Sequence, residues 1–440
     1  MRKLGLLFII YHLSFSPAGA QSWTLQQCID HAVSHNITIG RQQLQVEQQA
    51  LQLSNARNQR LPDLSASAGQ NFSFGRGLTA DNTYSNTNTS STNFSVGTTV
   101  PLFTGFQIPN QIRLSQLNLE AATHDLERAK NDIRVQVAQQ YVQVLYDMEM
   151  LGVARRQIGI DSAQVARLEA LLDVGRASQA ELSQQKATLA QSRLTATQAD
   201  NTLRLALLSL AQLLELDSPE GFAIAVPDSL PQLDDNGTLP RLDDVLHKAL
   251  MQRPEVQAEQ LRLKGTENSI AIARAGYYPT LSFSAGLGTN YYTTSGFRAD
   301  GFGRQLKNNF SQYLGLNLSI PIFNRFQTRN GIRQAKLQRT SQQLLLDQTR
   351  KTLYKEIQTA YYNTIGAREK LHSSHQARQA SSDAFRQVQA KYEAGRATIT
   401  EFNEAKNIYL KTESDLTQAR YEYLYQQALM KFYQGDELHL

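Results

Sequence analysis

Few side chains in this sequence combine a reactive type with a spacing that chemistry can use. His372 and His375 lie three positions apart in a segment of helical pattern and could share a metal ion, but no third ligand lies nearby in the sequence. Gly75-Arg76-Gly77 is the nearest approach to a phosphate-binding loop, yet no helical pattern follows it. The aspartates and glutamates form no recognisable acid and base pair. The sequence therefore predicts a protein with no catalytic residues, no metal site and no cofactor.

Composition and charge narrow the class of protein further. Only 19% of the 440 residues are charged, and glutamine, asparagine, serine and threonine are abundant, unlike the surface of an ordinary soluble enzyme. The formal net charge of +5 is too small to predict binding to nucleic acid. Cys28 is the one cysteine, so no disulfide can form within the chain. We expect it to be a small buried residue of the first helix.

An export signal is predicted at residues 1–20. Arg2 and Lys3 provide a positive start, and Ala18-Gly19-Ala20 provides a small-residue cleavage site after a short apolar run. No later run approaches the roughly 20 apolar residues that a membrane-spanning helix requires. We therefore expect the mature chain to leave the cytoplasm, and any crossing of a membrane to use strands.

Two glycine-containing stretches organise the remaining chain. They are Val174-Gly175-Arg176-Ala177-Ser178 and Ala394-Gly395-Arg396-Ala397-Thr398. Each follows a long helical pattern without proline, and the hydroxyl side chain three residues after the glycine can cap a new helix. The pattern predicts tight reversals between antiparallel helices. The glycines lie 220 positions apart (395 − 175), and this interval recurs through much of the chain, which indicates a tandem duplication.

Long helices are expected on both sides of each reversal. Between Gln111 and Asp173 there is no proline, and apolar residues recur at spacings of three and four, which is typical of a coiled-coil seam. Some 60 residues at ~1.5 Å each would form a rod about 90 Å long. The seam comprises Leu126, Ile133, Val137, Tyr141, Val144, Met148 and Leu151, and in the second half Leu346, Leu353, Ile357, Tyr361 and Leu371.

Four stretches alternate between apolar and small polar residues and are predicted as strands. In the first half they form a hairpin at 64–102 with a polar loop at 75–92, and in the second half a hairpin at 280–322 with a loop at about 293–308. Four strands have the length to cross a membrane, but about eight are needed to close the smallest barrel. Because lipid does not tolerate an open sheet edge, other chains must complete the sheet, and the sequence predicts an oligomer.

The predicted organisation is thus two repeats joined by a proline-containing linker. The segments are a signal peptide at 1–20, a first repeat at 21–216, a linker at 217–240, a second repeat at 241–433 and a tail at 434–440. Long helical hairpins are expected at 111–216 and 328–433.

This organisation resembles the TolC family of outer-membrane efflux factors. The glycine turns and the strand exits Val100-Pro101-Leu102-Phe103 and Ile320-Pro321-Ile322-Phe323 carry the resemblance, which extends over about residues 23–433. It implies a mainly α-helical chain with a membrane β-sheet, assembled as a homotrimer. Its three chains would form one twelve-stranded β-barrel in the outer membrane, continuous with a twelve-helix α-barrel in the periplasm. The implied function is an exit duct for small molecules, joined to an inner-membrane pump through a periplasmic adaptor (membrane fusion) protein.

The resemblance also implies residues of a periplasmic gate. In the best-known member of the family two aspartates narrow the tunnel entrance, and the matching positions hold Glu401 and Glu404. With threefold symmetry each would form a ring of three carboxylates that attract cations and raise one another's pKa. Glu181 matches Glu401 in the first repeat, where Gln184 replaces the second acid.

Further gate and docking residues are implied at the turns. Tyr392 matches a tyrosine that helps to close the entrance. The family's gate arginine lies two positions after the glycine, where this chain has Ala397, and the neighbouring Arg396 points about 100° away around a helix. Whether Arg396 belongs to the gate therefore stays open. The residues expected to dock the adaptor are Val174, Gly175, Arg176, Ser178, Ala394, Gly395, Arg396 and Thr398.

Two alternative functions fit the same patterns. One is a type I secretion exit duct for polypeptides, and the other is a soluble periplasmic coiled-coil scaffold whose short strands form an ordinary sheet. The apolar strand faces favour a duct over a scaffold, because a soluble protein avoids exposing such a belt to water. The cargo stays open among drugs, metals and polypeptides, as do the partner pump and the resting state of the channel.

Overall fold

The computed structural model describes residues 22–78, 82–218, 221–226 and 239–438. The predicted export signal and parts of the predicted linker and tail lie outside these residues. In chain order the elements are β1 (Ser22–Trp23), α1 (Leu25–His35), α2 (Ile37–Asn58), β2 (Ser65–Leu78), β3 (Tyr84–Thr104), α3 (Gln107–Asp173), α4 (Gln179–Leu213), β4 (Ala223–Ile224), α5 (Leu242–Gln252), α6 (Pro254–Ala275), β5 (Thr280–Thr294), α7 (Phe302–Asn308), β6 (Ser311–Ser319), α8 (Gln327–Glu393) and α9 (Ile399–Tyr433).

Corresponding helices in the two halves have equal lengths. The pairs are α1 and α5 with 11 residues, α2 and α6 with 22, α3 and α8 with 67, and α4 and α9 with 35. The predicted order of a helix pair, strands, a long helix and a returning helix is confirmed in both halves. None of the described helices contains a stretch apolar and long enough to cross a lipid bilayer.

The chain divides into two compact units. One comprises the described residues of Met1–Arg41, Ala129–Gln252 and Leu353–Leu440, and the other comprises Gln42–Arg128 and Arg253–Thr352.

The second unit contains a four-stranded antiparallel sheet in the order β2-β3-β5-β6. Its register aligns apolar side chains in rows, for example Val100 beside Phe283 and Phe283 beside Leu316. This face is exposed, with Leu316 at 69% of its maximal accessible area. The opposite face carries small and polar residues, such as Ser67, whose hydroxyl lies 2.7 Å from that of Ser95. The predicted strands with one apolar face are confirmed.

The predicted polar loops are wrong in two places. Most of residues 75–92 belong to strands, since β2 continues to Leu78 and β3 begins at Tyr84. Backbone ladder bonds form there without apolar burial, which is why the polar composition was misleading. The second predicted loop contains the end of β5 and the short helix α7, where Gln305 accepts from Tyr292 N–H at 2.9 Å and donates to the Tyr292 carbonyl at 3.0 Å.

The two strand exits also differ from each other. The Val100-Pro101 pair lies within β3, with a register irregularity between Pro101 and Phe103. In the second half β6 ends at Ser319, so the predicted strand at 320–322 is wrong. Pro321 lacks the N–H that a ladder bond requires.

The first unit has a core formed by the predicted seam. Val137, Val144 and Ile357 have no exposed surface. Cys28 is fully buried on α1, as predicted, and burial raises the pKa of its thiol to about 12. The Tyr141 hydroxyl lies 2.6 Å from the Ala225 carbonyl next to the parallel pair of β1 and β4.

Candidate functional site

The two predicted reversals end α3 and α8 with the same hydrogen-bond pattern. Gly175 has φ of +72°, its N–H donates to the Leu172 carbonyl at 2.9 Å, and the next N–H, of Arg176, donates to Leu171 at 2.8 Å. Gly395 has φ of +70° and the equivalent bonds measure 3.0 and 2.8 Å. These are Schellman motifs, which require a left-handed residue, and glycine adopts that conformation without strain.

A capping box begins the helix after each reversal. The Glu181 N–H donates to the Ser178 hydroxyl at 3.2 Å, and the Ser178 N–H donates to the Glu181 carboxylate at 2.8 Å. Thr398 and Glu401 repeat this pair with distances of 3.2 and 2.6 Å. The backbone N–H and hydroxyl donors lower the pKa of both glutamates. This direction is opposite to the effect of a carboxylate ring, which would need three chains.

The capping role of these two acids was missed in the sequence, although its signal was present. Ser178 and Glu181 have the spacing of a capping box, as do Thr398 and Glu401. Its role in the capping box is therefore sufficient to explain a glutamate at this position. Glu404 lies one turn further along α9, is exposed and takes no part in the cap.

The predicted docking residues lie at the surface of the turns. Val174 is 67% exposed, and a Cβ atom placed on either glycine would meet no atom within 4 Å. Arg176, Arg396 and Ala394 are exposed as well. Among the described residues no ion pair joins Arg396 to Glu401 or Glu404.

Tyr392 connects the second hairpin (α8 and α9) to the first hairpin (α3 and α4). Its hydroxyl accepts a hydrogen bond from Gln164, and the Arg167 guanidinium lies 4.8 Å from the ring centroid. Arg167 also donates to the Glu393 carbonyl at 3.1 Å. Burial raises the pKa of the Tyr392 phenol, which stays protonated at neutral pH. The Tyr392 phenol and the Arg167 guanidinium together hold the C-terminal end of α8 against α3.

A buried polar network lies behind these contacts. The Lys406 ammonium donates to the Asp161 carboxylate, and neither side chain has any exposed surface. The same carboxylate accepts from Ser192 and from Gln185, and the Gln185 amide oxygen accepts from Asn403 at 3.2 Å. The network joins α3, α4 and α9.

The sequence pattern alone did not predict this network. Asp161 lies where the apolar seam of α3 continues, between Ile158 and Val165, and Lys406 lies between the buried Phe402 and Leu410. A charge at an apolar position of a helical seam was the available signal, because an unpaired charge is rarely buried there.

The two hairpins are filled by different side chains at equivalent positions. In the second hairpin Tyr392 stacks on Phe402 with centroids 5.0 Å apart, Phe402 contacts Phe385 at 5.6 Å, and Phe385 stacks on Tyr409 at 5.5 Å. The first hairpin has an aliphatic cluster that includes, at the matching positions, Val165, Leu172, Leu182 and Leu189. The two hairpins thus have the same helices, but aromatic side chains pack between those of the second and aliphatic side chains between those of the first.

Among the described residues no three histidine, cysteine or acidic side chains converge as metal ligands. His372 instead shares a hydrogen bond of 3.0 Å with Gln376. The described residues thus combine a sheet that has one exposed apolar face with two long helical hairpins.

Solved structures have this same fold. The outer membrane protein VceC of Vibrio cholerae aligns with a TM-score of 0.78 at 17% identity, covering 94% of this chain and 97% of that one. The Campylobacter jejuni CmeC outer membrane channel aligns with a TM-score of 0.78 at 18% identity, covering 100% of this chain and 95% of that one.

Sequence comparison identifies the family. A model described as outer membrane efflux protein matches residues 28–215 and 245–435, and the chain belongs to this family. Protein CyaE of Bordetella pertussis is 24% identical over 392 residues, covering 88% of this chain and 78% of that protein. The pyoverdine export outer membrane protein OpmQ of Pseudomonas aeruginosa is 27% identical over 374 residues, covering 82% and 74%. The resemblance to the TolC family and the location in the outer membrane are thereby confirmed.

Proposed function

We propose that this protein is the outer-membrane exit duct of a tripartite efflux system. It would act as a passive homotrimeric channel, coupled through a periplasmic adaptor protein to an inner-membrane pump that supplies the energy. The observation that carries the proposal is the four-stranded sheet, which has an exposed apolar face and leaves β2 and β6 as edge strands. In lipid both edges must be paired, and three chains would supply twelve strands for one closed barrel.

The helical hairpins would form the periplasmic tunnel and its gate. Tyr392, held by Gln164 and Arg167, would keep the second hairpin against the first in the closed state. Glu404 would project as a ring of three carboxylates that attracts cations, with Glu401 and Glu181 contributing charge beside their helix caps. Arg396 is exposed at the same level and would meet the adaptor rather than the carboxylates.

The exposed turns would dock the adaptor. Both are closed by their own hydrogen bonds, so Val174, Arg176 and Arg396 are free to make contacts outside the chain. Small molecules are the cargo that we favour, since the relative OpmQ is described as exporting pyoverdine.

The test is planar-bilayer conductance of the detergent-extracted protein, with oligomer mass measured on the same sample. We expect a trimer that gives discrete channels with a preference for cations. A water-soluble monomer without conductance would contradict the proposal and favour the coiled-coil scaffold.

Two matched variants connect that result to the sheet. Leu316→Arg places a charge on the exposed apolar face, and Asn317→Arg places the same charge on the opposite face. On the lipid side of a barrel a mid-membrane arginine costs about 2–4 kcal/mol, so we expect Leu316→Arg to prevent insertion and Asn317→Arg to be tolerated. Equal insertion of both variants would show that the apolar face does not contact lipid.

A further inference from the structure

The buried ion pair between Asp161 and Lys406 has no equivalent at the matching positions of the tandem repeat. The interval of 220 residues relates Asp161 to Ser381 and Lys406 to Lys186. The Ser381 hydroxyl lies 2.5 Å from the Thr412 hydroxyl, which repeats the contact of Asp161 with Ser192 without a charge. Lys186 lies 2.8 Å from Glu169, and both of these side chains are about half exposed. The equivalent positions therefore contain a contact between two hydroxyls and a half-exposed ion pair in place of the buried ion pair.

The inference rests on the trimer of the proposed function. In that trimer, the contact between two hairpins of one chain differs from the contact between hairpins of neighbouring chains. In a ring that alternates first and second hairpins, each first hairpin has one neighbour from its own chain and one from the next chain. The structure contains the contact within the chain. Because corresponding helices have equal lengths, the contact between chains would place equivalent residues together, with Ser381 opposite Lys186 of the partner subunit.

We propose that Asp161 and Lys406 lock the two hairpins of one chain together, so that at their level the tunnel widens at the seams between chains. In this role both are positioning residues. Separating them would deprive each of two buried charges of its opposite charge, whereas a serine and a lysine that already pairs with Glu169 can separate without such a cost. The six seams would thus alternate between locked and unlocked.

The lock leaves the tip itself movable. Asp161 precedes Gly175 by 14 residues (175 − 161), which corresponds to about 21 Å of helix. Between this level and the turn, Gln164 and Arg167 make polar contacts from α3 to α8, where they meet a half-buried Tyr392. Water can replace those contacts, so an opening motion can begin at the tip.

Matched disulfides in full-length protein test the proposal. Because the side chains of Gln185 and Asn403 are hydrogen bonded, Gln185→Cys with Asn403→Cys should link the two hairpins within a chain when a short bis-methanethiosulfonate reagent forms a reducible disulfide with each thiol. Their repeat equivalents, Ala405→Cys with Ser183→Cys, should crosslink neighbouring chains. Both pairs are made with Cys28→Ala to remove the native thiol.

Conductance is then compared between the linked and reduced forms of each protein. We expect the link between chains to abolish most of the current until a reductant is added, and the link within a chain to leave the current the same in both forms. The proposal would be contradicted if the link within a chain abolished the current. It would also be contradicted if neither link changed the current.

A non-reducing gel separates this inference from the proposed function. Linked Ala405→Cys with Ser183→Cys should migrate as a covalent trimer. If it stays monomeric, the proposed ring of alternating hairpins is wrong. If the trimer forms and the reduced channels carry no current, the duct itself is contradicted.

Discussion

Lys186 and Lys406 occupy equivalent positions of the two repeats and have opposite environments. The Lys186 side chain is 53% exposed beside Glu169, whereas Lys406 is fully buried beside Asp161. At one position of a duplicated backbone, a lysine thus pairs with an acid of its own hairpin in one copy and with an acid of the other hairpin in the second copy. Gln389 stands where Glu169 would recur, so Lys406 has no acid at that position of its own hairpin.

The two lysines should differ in their contribution to stability. Lys406→Met leaves the Asp161 carboxylate buried and unpaired, which we expect to lower the free energy of unfolding by about 3–5 kcal/mol. Lys186→Met removes the half-exposed pair with Glu169, for which a smaller loss of about 1 kcal/mol is expected. Denaturant unfolding of the detergent-solubilised protein, followed by circular dichroism, measures both. The double variant Asp161→Asn with Lys406→Met should recover part of the loss, and equal effects of the two lysine variants would contradict this.

Removing the negative charge of Asp147 should raise the stability of the folded protein. It is buried on α3, its Oδ1 accepts from Gln143 at 3.1 Å, and its Oδ2 has no hydrogen-bond partner among the described residues. Burial raises its pKa, so the ionised form costs stability above that pKa, and the cost disappears as the pH falls through it.

We therefore expect Asp147→Asn to raise stability at pH 7 by about 1 kcal/mol, the scale of one unpaired buried polar group. The gain should shrink in acid. Thermal melts across a pH series measure it, with Asp173→Asn, an exposed acid of the same helix, as the control. A gain that persists undiminished at low pH would show that charge is not the cause.

Gly175 and Gly159 should respond oppositely to alanine. Neither has an atom within 4 Å of an added Cβ, so only the backbone conformation differs. Gly175 is left-handed, and alanine there should cost about 1–2 kcal/mol. Gly159 lies within α3, where alanine should stabilise by up to about 1 kcal/mol. Unfolding measurements decide this, and adaptor crosslinking should weaken only for Gly175→Ala while trimers stay intact.

The carboxylates near the second turn should control cation block. Glu401→Gln with Glu404→Gln removes two charges per chain, and glutamine can still complete the capping box at position 401. We expect weaker block of single channels by multivalent cations, measured in planar bilayers. Asp383→Asn, which removes an acid of α8 that pairs with Arg386, provides the control. Unchanged block in the double variant would remove both glutamates from the gate.

Sequence patterns predicted the elements better than they predicted the contacts between them. The helices, the glycine turns and the apolar strand face follow from local periodicity and from residues with special backbone preferences. The strand tips were missed because Thr89 and Ser91 pair through backbone bonds that composition does not reveal. The Asp161 and Lys406 pair was missed because its members lie 245 positions apart (406 − 161).

The sequence-based interpretation of the two capping glutamates was also incomplete. Glu181 and Glu401 were interpreted through a resemblance, while the simpler reading, a capping box, was visible in the spacing of Ser178 and Thr398. A resemblance to a family assigns a role to a position, but it does not show which hydrogen bonds the side chain at that position already makes.

The turns have a consequence for the order of folding. The backbone hydrogen bonds that close the turns at Gly175 and Gly395 span three to five residues, and no atom lies within 4 Å of a Cβ placed on either glycine. Such bonds need no distant segment, and contacts that are short in sequence form fastest. Each hairpin can therefore close its turn while the chain is still a monomer, before the sheet edges pair with other chains in the proposed trimer. Assembly of the trimer would then join preformed hairpins, and the slow step would be pairing of the strands.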